Sequence, residues 1–151
     1  MSTVSMTGND VIKINNRILA DLADDNVAEL TFPTEIAAVK TGKNGNSIFA
    51  LNESGRQADF KLRVIRGSAD DKFLNGLLVS QQQNFSGFVQ LVGELVKQVG
   101  NGAGLVIQDT YLMSAGVFTK QIEAKSNVAG DTEQSICIYE MKFANAPRVL
   151  A

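Results

Sequence analysis

The chain has 151 residues, 44% hydrophobic and 20% charged, with a formal net charge of −2; this is the composition of one ordinary globular domain, long enough to bury a core without disulfides. Histidine is absent and cysteine occurs once, as Cys137, which removes Ser-His and Cys-His nucleophile pairs, His general bases, His-bearing zinc sites and any intrachain disulfide. Fourteen basic against sixteen acidic side chains lack the basic surplus of a chain that grips phosphates.

The first ten residues carry neither a basic n-region nor an apolar h-region, and no apolar run approaches a membrane span. The expectation is a protein made and kept in a cytoplasm-like compartment, or released from it by lysis. No linker or repeat interrupts the chain, so residues 1–151 read as one domain. From Val11 the sequence predicts two short strands about a tight Asn15-Asn16 turn, because Asn tolerates left-handed backbone. Asp21 to Asn26 is a polar loop. Val27, Leu30, Phe32, Ile36 and Val39 have strand character, and Pro33 among them marks an edge or a bend. Lys40, Thr41, Gly42, Lys43, Asn44, Gly45 and Asn46 form the strongest turn signal, polar and positive, and are expected to project as a hairpin loop.

Ile48, Phe49 and Leu51 resume the strand. Ala58, Phe60, Leu62 and Val64 then alternate with Asp59, Lys61 and Arg63, a period of two with one face in a core. Ser68 is the N-cap of a helix expected from Ala69 to about Gln82, with Asp71 three residues on as a short-armed capping box. Asp70 and Asp71 suit the positive end of its dipole. Phe73, Leu74, Leu77 and Leu78 form its buried face. Residues 88–99 fit helical spacing, yet they are valine-rich, contain Gly93 and run into Gly100–Gly104, which favours a hairpin. Residues 116–125 and 135–143 read as two more strands joined by a polar turn from Ser126 to Glu133. The sum is about eight strands and one helix, a mainly β antiparallel sandwich or barrel with a flanking helix.

Chemistry is sparse. Gly42-Lys43 is followed by Asn44, and Ala37 stands where a phosphate loop needs its first glycine. Gly100-Asn101-Gly102-Ala103-Gly104 lacks the helix and distant acid of a dinucleotide site and reads as a flexible turn. Asp24-Asp25, Asp70-Asp71 and Asp131 read as solvated or capping acids rather than acid–base pairs. Cys137 sits in an apolar strand and reads as a small buried hydrophobe. Lys61, Arg63 and Arg66 form a basic stripe without interleaved aromatic residues, suited to solvent or to acids of a neighbouring subunit. The expectation is no enzyme, no metal and no cofactor. An open sandwich does have bare strand edges, and pairing them around a ring would satisfy them.

The segment Ser47–Ser68 joins a strand, a small-residue turn and an alternating strand, and runs directly into the Ser-x-x-Asp-x-x-Leu helix that continues through Asp71–Leu78. With the Asp-x-x-Asn-rich start and the turn and strand after Ala129-Gly130-Asp131, this order resembles the tail tube proteins of contractile-tailed bacteriophages. The resemblance covers most of the chain and rests on pattern rather than on invariant residues. It implies a sandwich that forms hexameric rings, four strands per subunit joining into a continuous inner barrel. Rings would stack into a tube inside a contractile sheath, through which DNA passes to the host without specific binding. Implied partners are further copies of itself, the tail sheath, tape measure, baseplate and tail terminator proteins, with no membrane contact. The implied place is the virion tail, after assembly in the host cytoplasm. Ring-stacking residues by this likeness are Lys40–Asn46 and the N-terminal arm Met1–Asp10.

A barrel of about 24 strands has a backbone diameter of about 45–50 Å and an opening of about 35 Å. Neutral or mildly acidic walls let a polyanion slide, and Glu29, Glu35, Asp59 and Glu123 are the expected lumen-facing positions. Two alternatives stay open. One is the inner tube of a related injection or secretion machine carrying an effector protein. The other, of a different class, is a small-ligand-binding β-barrel.

Overall fold

The computed structural model describes residues 3–23, 26–126 and 128–151; the Asp24-Asp25 pair and the first two residues of the N-terminal arm lie outside them. Among the described residues there are eleven strands and one α-helix. The strands are β1 (Ser5–Met6), β2 (Val11–Ile14), β3 (Arg17–Ile18), β4 (Ala28–Thr31), β5 (Ala37–Thr41), β6 (Ser47–Leu51), β7 (Ala58–Ile65), β8 (Leu91–Gly100), β9 (Val106–Phe118), β10 (Ile136–Asn145) and β11 (Arg148–Leu150). The helix is α1 (Ala69–Gln83). The mainly antiparallel β architecture with a single flanking helix is therefore as the sequence pattern predicts. The excess over eight strands comes from two- and three-residue strands, too short to show a period.

All pairings in the main sheet are antiparallel, in the order β3-β2-β8-β9-β10-β7-β4, with β1 added beside β8 and β11 beside β9. Asn15 and Asn16 adopt φ of 50° and 68° in the β2–β3 turn, the left-handed geometry that Asn accepts. The stretch after β3 ties the two margins of the sheet at one corner. Leu19 N–H donates to Ile12 O, Ile65 N–H to Asp21 O and Ala23 N–H to Arg63 O, at 2.9, 3.0 and 2.9 Å. The body thus approaches a closed barrel.

The core follows from the alternation. Ala58, Phe60, Leu62 and Val64 of β7 point inward beside Cys137, Tyr139, Met141 and Phe143 of β10. Helix α1 lies against them through Leu74 and Leu78, while Phe73 and Leu77 pack half-buried at its margin. Ser68 Oγ accepts from Asp71 N–H, as the capping signal predicts, and Asp71 Oδ2 accepts from Gly67 N–H. Tyr139 O–H donates to the Asp71 carboxylate and main-chain oxygen. Burial, and then that carboxylate, push the Tyr139 phenol well above its usual range.

The expected strand at 116–125 stops short. Gln81 of α1 takes both main-chain groups of Phe118: Phe118 N–H donates to Oε1, and Nε2 donates to Phe118 O, each at 2.8 Å. A buried helix side chain thus holds the Phe118 groups that face away from β10; Thr119 N–H still donates to Glu140 O at 3.0 Å, and residues 120–125 leave the sheet.

Asp70 is 1% exposed and joins the helix to the β2–β3 hairpin. Its carboxylate accepts from Ala20 N–H at 2.6 Å, Asp21 N–H at 2.7 Å and Arg17 Nε at 3.1 Å. Arg17 also lies over the Phe73 ring at 5.2 Å. Burial pushes this carboxyl up, but the two N–H groups and Arg17 together outweigh it and hold the pKa below the usual carboxylate range. A depressed native pKa stabilises the fold above the unfolded value, near 4, and that contribution is lost as pH falls through the native value. Asp70→Asn is therefore expected to cost about 2–3 kcal/mol at neutral pH and to flatten the stability loss below about pH 4–5. Chemical denaturation of both forms from pH 7 to pH 3 measures it; equal pH profiles would refute the assignment.

Candidate assembly interface

Long strands β8 and β9 run past the core as a hairpin closed at Asn101, whose side chain accepts from Ala103 and Leu105 N–H. This bears out the hairpin reading of the Gly100–Gly104 region. At that distal end β1 flanks β8 and β11 flanks β9, giving a four-stranded antiparallel sheet in the order β1-β8-β9-β11.

Its outer margins are bare among the described residues. Asn101 N–H donates to Leu105 O at 3.1 Å, so alternate β8 residues face β9 and Gly100 faces β1. Ser5, opposite Gly100, turns inward, and the main-chain groups of Val4 and Met6 turn outward. On the other side Gln108 and Ala151 exchange hydrogen bonds, and Leu112 N–H donates to Pro147 O. The groups of Arg148 and Leu150 are then the outward ones. β1 and β11 run in opposite directions, and β11 is offset along the sheet from β1. An outward row on each margin, opposite in direction and staggered, is what edge-to-edge addition of like subunits requires.

Charge locks this sheet from its inner face. Arg148 donates to the Asp109 carboxylate through Nε and Nη2, at 2.7 and 3.0 Å, and Lys97 pairs with Asp10 at 2.7 Å. The Arg148 guanidinium, against the opposing effect of burial, holds the Asp109 carboxyl below its usual range, with help from Lys97. The outer face is nearly free of charge. Its side chains include Gln98, Gln108, Thr110 and Ser114, with Glu94 directly opposite Lys13 in the β2–β8 register.

The second exposed feature is the β5–β6 hairpin, which pairs with itself alone. Its turn contains Asn44 and Gly45 at φ of 66° and 81°, as the Asn-Gly signal predicts, and every residue of both strands is exposed. The hairpin is anchored at Gly55, where an added Cβ would stand 2.6 Å from Glu35 O. Residues Lys40, Thr41, Lys43, Asn44, Gly45 and Asn46 are exposed and Gly42 is half-buried.

The four expected lumen positions do not converge. Glu29 and Glu123 line one groove of about 490 Å³ over β7 and β10, facing Lys61, Arg63, Arg66, Lys120 and Lys125. Within it Lys61 and Lys120 pair with Glu140, Arg63 pairs with Glu133, and Arg66 holds the Gln134 and Glu123 carbonyls. Asp59 pairs with Lys142 at 3.9 Å. Glu35 is exposed at the hairpin root. Cys137 is buried, and burial, with the Asp71 carboxylate next, pushes its thiol up. Among the described residues no three His, Cys, Asp or Glu side chains converge on a metal-sized site, and no helix is long and apolar enough to cross a membrane.

No family model and no curated protein matches the sequence. Similar solved structures include a chain of the cryo-EM structure of the anti-feeding prophage (AFP) baseplate, six-fold symmetrised. It shares 14% identity at a TM-score of 0.56, over 99% of this chain and 97% of that one. At that identity the likeness establishes a shared fold along the whole length.

Proposed function

We propose that this protein is a structural subunit of a phage-like contractile particle, and within it the inner tube subunit. Six copies join β11 of one to β1 of the next, so that the four-stranded sheets merge into one antiparallel barrel, and rings stack through the β5–β6 hairpin. The observation that carries the reading is the pair of bare, oppositely directed margins on the distal sheet. The full-length likeness to a chain of a six-fold symmetrised prophage baseplate supports the same class of machine.

On this reading the lumen is lined by the outer face of β8 and β9, with Glu94, Gln98, Gln108 and Thr110. Glu29, Glu35, Asp59 and Glu123 stand away from those two strands. The outer face of β8 and β9 mixes its amides and hydroxyls with Val92, Val96, Val106 and Leu112 and is nearly free of unbalanced charge, so it offers a polymer no array of like charges to hold it. The sheath, tape measure, baseplate and terminator proteins remain the proposed partners, and catalysis is no part of the role. The baseplate likeness also favours a second reading, in which the tube belongs to an injection machine and conducts an effector protein.

Negative-stain microscopy of the purified protein tests the class. Rings or tubes of constant width are expected, and a uniform 16.2 kDa monomer at high concentration would contradict it. Deleting Thr41–Gly45 is expected to leave a subunit with unchanged melting behaviour and to reduce tube length at least tenfold. Long tubes from the deletion variant would refute the stacking role of this loop.

A further inference from the structure

The β5–β6 hairpin is apolar on both sides. Its register sets Val39 opposite Phe49 and Ala37 opposite Leu51 on one face. Ala38 opposite Ala50 and Lys40 opposite Ile48 lie on the other, with Ile36 continuing that face. Val39, Phe49 and Leu51 are 65%, 74% and 70% exposed, and Ile36 and Ile48 are 68% and 59% exposed. A strand pair that borders one layer of protein carries its apolar side chains on one face and polar ones on the other. This one breaks that rule along most of its length, and a lone two-stranded hairpin has little stability of its own in water.

We infer that the hairpin is held between two other copies of this chain, one on each face, rather than laid against a single neighbour. This rests on the tube reading and specifies its stacking contact. Two features select copies of this chain as the occupants. The first is charge. The hairpin holds Lys40 and Lys43 and no acid, whereas the rest of the chain, with twelve basic and sixteen acidic side chains, is net −4. The segment is thus complementary to the body of its own kind. The second is area. The five large residues expose roughly 700 Å² over the two faces together, near the roughly 800 Å² that one partner of a stable interface contributes. Neither face alone reaches that size.

A ring provides the required slot, because the seam between adjacent subunits offers two walls to a hairpin entering from the next ring. The projecting turn, polar and lysine-bearing, then serves as the leading tip. The apolar ladder behind it holds the contact.

Two variants separate the faces: Val39→Ser with Phe49→Ser, and Ile36→Ser with Ile48→Ser. All four residues lie outside the core, so melting curves within a few degrees of the wild type are expected for both. Each variant is expected to stop at single rings, with tubes reduced at least tenfold in sedimentation and negative-stain microscopy. If only one variant loses tubes, the hairpin lies flat on one neighbour and the two-sided contact is overturned. If both variants make tubes like the wild type, the hairpin is not the stacking element, although the ring reading survives. A wild type that never assembles overturns both.

Discussion

Leu74→Asp is expected to unfold the subunit. Leu74 is fully buried at the centre of the face that α1 lays on the sheet. Replacing it removes a side chain whose deletion alone costs about 2–5 kcal/mol. The new carboxylate would also have no free partner among the described residues of the helix margin, where the Arg17 guanidinium is committed to Asp70. An unpaired buried charge adds several kcal/mol more. The sum exceeds much of the 5–15 kcal/mol by which domains are ordinarily stable. Leu77→Asp, on the half-buried margin of the same helix, is expected to cost less, because its carboxylate can turn to water. Circular dichroism melts of the two variants test the order; a Leu74→Asp protein that melts like the wild type would refute the placement of the helix.

Met6→Pro and Leu150→Pro are expected to abolish ring closure while leaving the subunit folded. In each case the lost N–H is one that faces away from the sheet, so no internal ladder bond is broken, and proline is tolerated on an edge strand in that setting. At the joint, however, each substitution removes one donor and puts a ring in the path of the neighbouring strand. The loss is about 1–3 kcal/mol per joint, and it recurs at every joint of a closed ring. Size-exclusion chromatography with light scattering is expected to show monomers for both variants under conditions where the wild type assembles. Rings from either variant would show that the contacts run elsewhere.

The body of the fold was legible because its signals are local. Alternation fixed β7, the Ser68–Asp71 spacing fixed the start of α1, and Asn15-Asn16 and Asn44-Gly45 fixed two turns. The elements that sequence reasoning missed are those decided by distant partners. β1 and β11 have two and three residues each and exist because β8 and β9 overrun the core. The strand expected at 116–125 ends near Phe118, where Gln81, far away along the chain, binds the main-chain groups that face away from β10. The expected lumen positions rest on charge alone. Charge does not report which face of a curled sheet a residue occupies, and the structure distributes those four between a groove, an ion pair and a hairpin root. What pointed to the distal sheet was present in the sequence as the valine-rich stretch 88–99 and the apolar run from Leu105 to Ile107 on the two sides of Gly100–Gly104.

Amide hydrogen exchange, compared between free subunits and assembled particles, addresses the edge-to-edge joint directly. The Val4, Met6, Arg148 and Leu150 N–H groups are expected to exchange rapidly in the free chain and to become protected at least a hundredfold on assembly. Protection elsewhere with these four still exchanging freely would contradict the joint, and with it the barrel.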